Sequence, residues 1–228
     1  RNWPVASLIG YTNAGKSSLL NRLTGAGVVA EDKLFATLDP TTRQLVLPNR
    51  QKVLLTDTVG FIRKLPHTVI ESFKATLEEV QLADLLIHVV DLSHPQHREQ
   101  MAAVEETIAE LGAHGKQQFV VFNKIDRISD PEILASQLHH HPGSAAVSAR
   151  TGDGMDAFLQ ELAMRLDAWR LRITFRIPAA ESALLAEVHR VGHVLSVTYE
   201  ENTAIVTAHI PPELKHRLAP YEIPAEAA

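Results

Sequence analysis

Short apolar runs alternate with stretches of helical periodicity along residues 1–170 of the chain. The first run, Val5 to Ile9, precedes helix-forming residues from Lys16 to Leu23 whose leucines share one face. Further strands are predicted at Lys52 to Thr56, Leu85 to Val90, Phe119 to Phe122 and Ala145 to Val147. Helices are predicted between them at Val69 to Val80, Gln100 to Leu111, Pro131 to Leu138 and Met155 to Trp169. This alternation predicts an α/β fold in which helices cover a mostly parallel sheet.

One predicted strand departs from the parallel rhythm. Thr42 to Leu47 alternates between polar and apolar residues, and Pro48-Asn49-Arg50 joins it to the next strand. So short a connection joins antiparallel neighbours, because parallel strands need a long crossover. We therefore expect a hairpin at one edge of a mixed sheet.

After Arg170 the strands outnumber the helices and the parallel rhythm is lost. A strand, a helix and two more strands are predicted at Ile173 to Ile177, Glu181 to His189, Leu195 to Tyr199 and Ile205 to Ile210. This change predicts an α/β domain at residues 1–170 and a small α+β C-terminal domain at residues 171–228. We expect the proline-containing tail to fray beyond Tyr221.

A phosphate-binding loop is predicted between the first strand and the first helix. The pattern GxxxxGK[ST] is matched by Gly10-Tyr11-Thr12-Asn13-Ala14-Gly15-Lys16-Ser17, which Ser18 follows. In such a loop the backbone N–H groups face a phosphate, the Lys16 ammonium contacts the terminal phosphates, and the Ser17 hydroxyl ligates Mg²⁺. A chance glycine-rich turn is the alternative. The order of strand, loop and helix favours a P-loop fold with three layers that binds a nucleoside triphosphate.

A second phosphate contact is predicted where the next buried strand ends. Asp57-Thr58-Val59-Gly60 fits DxxG, which is weak in isolation because an Asp at a strand end often caps a turn. Asp57 would hold Mg²⁺ through a water molecule, and the Gly60 N–H would bond the γ-phosphate. The position of this motif on the strand after the phosphate loop favours the functional interpretation.

The base is indicated by a polar tetrapeptide, Asn123-Lys124-Ile125-Asp126, which fits NKxD after a buried strand. The Asp126 carboxylate would accept hydrogen bonds from the ring N–H and the exocyclic amine of guanine, whereas adenine presents an acceptor and no amine on that edge. Asn123 would brace the loop, and the stem of Lys124 would lie over the purine face. GTP and GDP are therefore the expected nucleotides.

Two further loops are candidates for the same site. Ser148-Ala149-Arg150 would complete the guanine pocket through the Ala149 N–H. Between the phosphate loop and Asp57, Phe35-Ala36-Thr37-Leu38-Asp39-Pro40-Thr41-Thr42 offers three hydroxyls in a loop that would close on Mg²⁺. We choose Thr37 as the metal ligand, and an ordinary threonine-rich loop is the alternative. Lys16, Thr37 and Gly60 are then the predicted catalytic residues around the γ-phosphate.

Composition limits the partners and the compartment. The chain has 228 residues, a formal net charge of −5 and no cysteine. These values favour neither broad nucleic-acid binding nor disulfides, and no apolar stretch reaches the roughly 20 residues of a membrane span. A cytoplasmic monomer is the simplest expectation. Arg1 and Asn2 lead into the first strand without a start methionine, so we expect a piece of a longer protein.

The order of these motifs resembles the translation-factor class of GTPases. GYTNAGKSS, FATLDPTTR and LTDTVGFIRKLPH are similar in particular to the HflX family. This resemblance implies GTP hydrolysis, association with the large ribosomal subunit, and dissociation or rescue of ribosomes under stress. It also implies that Thr37 is the threonine that binds Mg²⁺. Arg150 departs from the family pattern, in which lysine is common, and the family's N-terminal domain and helical linker do not occur in this sequence.

Phe61 and Asn13 lead to two predictions about the rate of GTP hydrolysis. Many GTPases have glutamine directly after DxxG, but here Phe61 follows, and its ring cannot form a hydrogen bond to an attacking water. We expect slow intrinsic hydrolysis that a partner such as the ribosome accelerates, and Phe61 would also pack against the core.

Asn13 is a candidate ligand for K⁺ beside the phosphates, because related GTPases with asparagine at this position use it in that way.

Two other functions stay open. In a nucleotide-gated binding module, GTP would order the loops of Thr37 and Gly60 so that a partner docks, and hydrolysis would be incidental. A related GTPase of ribosome assembly or RNA modification would share the DxxG and NKxD motifs. The FATLD stretch argues against this second alternative.

Overall fold

The computed structural model describes residues 3–25, 41–61, 74–166, 171–210 and 212–223. The first sheet consists of strands β1 (Val5–Ile9), β2 (Thr41–Val46), β3 (Lys52–Asp57), β4 (Leu85–Asp91), β5 (Gln118–Asn123) and β6 (Ala145–Ala146). Their order across the sheet is β2-β3-β1-β4-β5-β6. Strand β1 pairs in parallel with β3 and β4, and β5 pairs in parallel with β4 and β6. The predicted α/β fold with a mostly parallel sheet is confirmed.

The described helices of this part are α1 (Lys16–Thr24), α2 (Lys74–Leu82), α3 (His97–Glu110), α4 (Pro131–His140) and α5 (Met155–Leu166). Helix α3 begins at His97. The prediction began later, at Gln100, because the first turn is polar and shows no apolar periodicity. The predicted helices Val69 to Val80 and Met155 to Trp169 lie partly outside the described residues. Within those residues, no helix has the length and apolar character to cross a membrane.

The predicted edge hairpin is present between β2 and β3. The Leu47 N–H donates to the Gln51 carbonyl at 2.8 Å, and the hydroxyls of Thr42 and Thr56 lie 3.1 Å apart. From the pair of Thr42 and Thr56 to the pair of Leu47 and Gln51, the residue numbers rise on one strand and fall on the other. The strands are therefore antiparallel. Arg50, in the turn, has a φ of 63°, which is the left-handed conformation that such tight turns require.

Strands β1 and β4 are almost entirely apolar and buried, with Ser7 and His88 as their buried polar residues. All residues of β1 are buried, and β4 is buried from Leu85 to Val90. One core cluster joins residues from β1, β4 and the helices α2 and α3, and it includes Ile9, Val59, Phe61, Val80, Leu86, Val104 and Ile108. The carboxyl ends of the central strands therefore emerge from a packed interior.

The C-terminal part contains β7 (Leu171–Pro178), α6 (Ser182–Val191), β8 (His193–Glu200), β9 (Thr203–Ile210), α7 (Pro212–Leu218) and β10 (Glu222–Ile223). They form a four-stranded sheet of order β10-β7-β9-β8, whose neighbours are antiparallel. The predicted strand, helix and two strands are present. Fraying was expected beyond Tyr221, but Glu222 and Ile223 form β10 and pair with β7, and residues 224–228 lie outside the described residues. Helix α7 was not predicted because two prolines precede its helical residues. Pro212 instead begins α7, where its missing N–H costs nothing.

By compactness the chain divides into two units. One contains Pro4–Leu45 and Val53–Glu161, and the other contains Arg1–Trp3, Val46–Lys52 and Leu162–Ala228. Within the second unit, the Gln51 side-chain amide donates to the Leu166 carbonyl at 2.9 Å. The domain boundary between residues 170 and 171 stays a prediction.

Phe175 tests the packing of the C-terminal sheet. Its side chain is fully buried in that core, so Phe175→Ala should lower the free energy of unfolding by about 3–5 kcal/mol. Tyr199 is the control, because it is 71% exposed on β8 and its replacement by alanine should change stability by less than about 0.5 kcal/mol. Urea denaturation followed by circular dichroism measures both values. Equal losses in the two variants would contradict the assignment of this core.

Candidate nucleotide-binding site

Four strand ends bring the predicted motifs to one edge of the sheet. Gly10 follows β1, Asp57 ends β3, Asn123 ends β5, and Ser148 comes shortly after β6. Ligands of open α/β sheets bind outside the carboxyl ends of the strands, which is where these residues meet. The positions of the motifs therefore agree with a single site.

The phosphate loop wraps around the side chain of Lys16. Its Nζ lies 3.3 Å from the carbonyl oxygens of both Gly10 and Tyr11, and the side chain is buried. Burial lowers the pKa of Lys16 to about 8, and the charge of Asp57 opposes this shift. Asp57 therefore offsets only part of the free-energy cost of burying the ammonium group. An anionic ligand would offset the rest of that cost.

The predicted metal ligands lie next to each other. The Ser17 hydroxyl donates to Asp57 Oδ2 at 2.6 Å, and the Asp57 side chain is buried at the end of β3. The neighbouring Thr58 hydroxyl donates to the Leu8 carbonyl at 2.6 Å, which ties this strand end to β1. Ser18, the next residue of α1, is half-buried. A hydroxyl and a carboxylate are oxygen ligands of the kind that Mg²⁺ prefers.

The segment after Asp57 is joined to the phosphate loop by backbone hydrogen bonds. The Phe61 N–H donates to the Gly10 carbonyl at 3.0 Å, and the Thr12 N–H donates to the Phe61 carbonyl at 2.8 Å. The ring of Phe61 is fully buried in the core cluster, together with Val59. A Cβ on Gly60 would lie 2.8 Å from Thr12 Cα, so only glycine fits at this crossing. The expected packing of Phe61 against the core is present.

Asn123 connects two loops of the site through one side chain. Its Nδ2 donates to the Ala14 carbonyl at 2.9 Å, and its Oδ1 accepts from the Ala149 N–H at 3.1 Å. Gly15 has a φ of 95°, and a Cβ there would collide with the Asn123 amide. The predicted bracing role of Asn123 therefore has a geometric basis in this structure.

Lys124 is held by two oxygen atoms at the mouth of the phosphate loop. Its Nζ donates to the Asn13 carbonyl at 2.8 Å and lies 2.7 Å from Asp91 Oδ2. Both Lys124 and Asn13 have left-handed backbone conformations, with φ of 65° and 61°. Asn13 is exposed. The stem of Lys124 is thereby extended along the side of the site where the base is expected.

Asp126 contacts two residues of the loop that follows β6. Its Oδ1 accepts from the Ser148 hydroxyl at 2.6 Å, and its Oδ2 lies 2.6 Å from Arg150 Nη2. The hydrogen bond from Ser148 lowers the pKa of Asp126 most, the charge of Arg150 adds to this effect, and burial opposes it. Asp126 is therefore ionised at neutral pH and able to accept hydrogen bonds from a ligand.

The binding roles of the predicted site residues stay predictions, although the structure brings most of them together. The candidates Phe35, Ala36, Thr37, Leu38 and Asp39 lie outside the described residues. Sequence reasoning missed two residues of the assembled site. Asp91, at the end of β4, pairs with Lys124, and Arg22, on α1, donates to the Ala149 carbonyl at 3.0 Å. The position of Asp91 at a strand end was the only available signal, and Arg22 gave none.

Comparison with known proteins identifies the family. The family model described as 50S ribosome-binding GTPase matches residues 5–124, which include the phosphate loop, the DxxG motif and the first two residues of NKxD. The chain is an HflX-type member of this GTPase family. Membership of this GTPase family supports guanine-nucleotide binding.

Two curated relatives and one solved structure show the extent of the similarity. The GTPase HflX of Lacrimispora saccharolytica is 48% identical over 95% of this chain and 51% of the relative. The GTPase HflX of Magnetococcus marinus is 44% identical over 94% of this chain and 49% of the relative. The chain thus spans about half the length of these relatives. A GTP-binding protein of Sulfolobus solfataricus in complex with GDP has a TM-score of 0.56, with 27% identity over 71% of this chain and 51% of that one.

Burial of Lys16 makes the stability of the nucleotide-free GTPase depend on pH. Lys16→Met should raise the free energy of unfolding at pH 7 by up to about 3 kcal/mol, because the folded pKa of about 8 lies below the usual 10.5. Between these values the unfolded chain binds more protons, so the stability of the unsubstituted protein rises with pH and the difference from the variant shrinks.

Urea denaturation of both proteins at pH 7 and at pH 10 measures this difference. Lys215→Met is the control, since Lys215 is exposed on α7, and it should show the same small change at both pH values. A stability difference for Lys16→Met that does not change between the two pH values would contradict the burial of a charged Lys16.

Proposed function

We propose that this chain is the nucleotide-dependent switch of a GTPase that acts on the large ribosomal subunit. It binds GTP with Mg²⁺, hydrolyses it slowly alone, and hydrolyses it faster on the ribosome. The observation that supports this most is the meeting of Lys16, Asp57, Asn123 and Asp126 at one sheet edge. The description of the family and the HflX name of its relatives support the ribosome as the partner.

Guanine recognition follows from the groups around Asp126. Its two carboxylate oxygens accept hydrogen bonds from the ring N–H and the exocyclic amine of guanine, while Ser148 fixes the carboxylate from one side at 2.6 Å. The Ala149 N–H, which donates to Asn123 Oδ1 at 3.1 Å in this structure, would turn to the carbonyl oxygen of the base when the nucleotide binds. An adenine ring would offer an acceptor to Asp126 and an amine to Ala149, leaving two mismatches.

The phosphates bind at the ammonium group of Lys16 and at the N–H groups of the phosphate loop. The Lys16 ammonium moves from its two carbonyl contacts to the terminal phosphates, whose negative charge keeps it protonated. Ser17 and Thr37 would hold Mg²⁺ directly, and Asp57 would hold it through a water molecule. The metal would neutralise charge that develops on the β- and γ-phosphate oxygens.

Slow intrinsic hydrolysis follows from the position of Phe61. The Gly60 N–H would donate to the γ-phosphate, but the next side chain is a buried hydrocarbon ring in place of a group that could orient water. The backbone bonds of Phe61 to Gly10 and Thr12 hold it there. A residue or nucleotide of the ribosome would therefore have to place the attacking water.

The base preference provides the sharpest test of guanine recognition. Asp126→Asn should weaken GDP binding by at least about a hundredfold, because the amide cannot accept both guanine donors. The same variant should bind xanthosine diphosphate better than the unsubstituted chain does, since the amide donates to the 2-oxo group of xanthine. Competition against a fluorescent guanine nucleotide measures both affinities.

Asp156→Asn, an exposed carboxylate change in the first turn of α5, is the control and should leave both affinities unchanged. If Asp126→Asn weakens GDP and xanthosine diphosphate alike, Asp126 does not recognise the base.

Single-turnover hydrolysis tests the partner. The rate of GTP hydrolysis by the full-length protein should be low alone and should rise on addition of large ribosomal subunits, whereas small subunits at equal concentration should have little effect. A rapid rate without ribosomes, unchanged by them, would overturn the proposed dependence on a partner. Binding to large subunits that is GTP-dependent but leaves the rate unchanged would instead indicate a nucleotide-gated binding module.

Asn13 supports the further proposal of a monovalent ion. It is exposed in the loop where the phosphates would bind, and its backbone carbonyl accepts from Lys124 Nζ at 2.8 Å. Hydrolysis in K⁺ should then exceed hydrolysis in Na⁺ at matched ionic strength, and Asn13→Ala should remove the difference. Equal rates in the two salts would exclude the K⁺ role.

A further inference from the structure

Arg22 links the helix of the phosphate loop to the loop that faces the base. It lies on the same helix as Lys16 and Ser17, near the C-terminal end of α1. Its Nε donates to the Ala149 carbonyl at 3.0 Å, and its Nη2 donates to the Arg150 carbonyl. One guanidinium group therefore holds two successive carbonyl oxygens of a loop that belongs to a different part of the sequence.

The loop offers a close fit to this guanidinium group. Gly152 lies beside it, and a Cβ at Gly152 would be 3.8 Å from Arg22 Cζ and Nη1. The loop is closed by its own bonds, from the Gly152 N–H to the Ser148 carbonyl at 2.8 Å and from the Thr151 N–H to the Ser148 hydroxyl at 3.0 Å. Arg22 thus fixes a preformed loop from the side of its carbonyl oxygens.

The opposite side of the same loop carries the groups that contact the base. The Ala149 N–H points to Asn123 Oδ1 at 3.1 Å, and the Arg150 side chain pairs with Asp126. Because each amide plane is rigid, holding the Ala149 and Arg150 carbonyl oxygens fixes the N–H groups of Arg150 and Thr151. It thereby restricts the backbone of Ala149, whose own N–H lies in the preceding amide plane. The contacts of Arg22 and the recognition of the base are therefore on two sides of one peptide segment.

We propose that Arg22 is a positioning residue for guanine specificity. It holds the loop of residues 148–152 so that the Ala149 N–H and the Asp126 and Arg150 pair face the base, and it ties this geometry to the helix that begins at the phosphates. The proposal rests on the guanine-nucleotide binding argued above. Because the guanidinium lies at the surface, where water weakens hydrogen bonds, its effect on affinity is moderate.

The test compares two nucleotides that differ only in the base. Arg22→Met keeps the stem of the side chain and removes the donors, so GDP should bind about three- to tenfold more weakly. ADP, whose diphosphate contacts the same helix, should keep its affinity within about twofold. Competition against a fluorescent guanine nucleotide gives both constants, and the ratio of the GDP and ADP affinities is the quantity that decides.

Two further variants separate specificity from folding. Arg22→Lys retains the charge and a single donor group, so its affinity ratio should lie between those of Arg22→Met and the unsubstituted chain. Arg127→Met removes an exposed arginine next to Asp126 in sequence and should leave the ratio unchanged. Thermal unfolding of each nucleotide-free variant reports any general loss of structure.

The outcomes are distinct. Equal weakening of GDP and ADP by Arg22→Met would show a purely structural role of the helix contact and would overturn the proposal. An unchanged ratio in both Arg22 variants would also overturn it. If the unsubstituted chain itself failed to prefer GDP over ADP, the proposed guanine recognition would fail, independently of Arg22.

Discussion

The side chain of Asn123 holds together three segments on which the whole site depends. Its amide donates to the phosphate loop and accepts from the loop after β6, and it is itself the last residue of β5. The side chain is 1% exposed, so neither hydrogen bond can be replaced by water without opening the structure. Because β5 pairs with parallel neighbours on both sides, the loops take their positions from an interior strand of the sheet.

Three cationic side chains lie at the carboxyl ends of the strands, and each has a carboxylate nearby. Lys16 lies near Asp57 at the phosphate end, Lys124 pairs with Asp91 in the middle, and Arg150 pairs with Asp126 at the base end. The first cation is the most buried of the three and is only partly compensated, which favours the arrival of an anion at that end. In the third pair the Arg150 side chain is 72% exposed and that of Asp126 is 7% exposed, so water screens the cation of this pair more than its carboxylate.

The sequence was sufficient to predict the central fold and the four strand-end motifs, because both are specified by local patterns. Buried parallel strands appear as continuous apolar runs, and Gly10 to Ser17 must adopt a fixed backbone wherever it binds phosphate. Arg22 and Asp91 could not be found in that way, since each acquires its role from a contact more than thirty positions along the chain. Helix α7 was missed because proline, at the first turn of a helix, resembles a breaker until its neighbours are seen.

The crossing of Gly60 over Thr12 also limits how the protein can evolve. A Cβ on residue 60 would stand 2.8 Å from a backbone atom of Thr12 and 3.3 Å from Lys16 Nζ, and the core behind Phe61 prevents either chain from withdrawing. Every single-base change of a glycine codon that alters the amino acid adds a Cβ. No single substitution at position 60 therefore avoids this clash. Sequence variation in this segment must occur at neighbouring positions, of which Phe61 is the first.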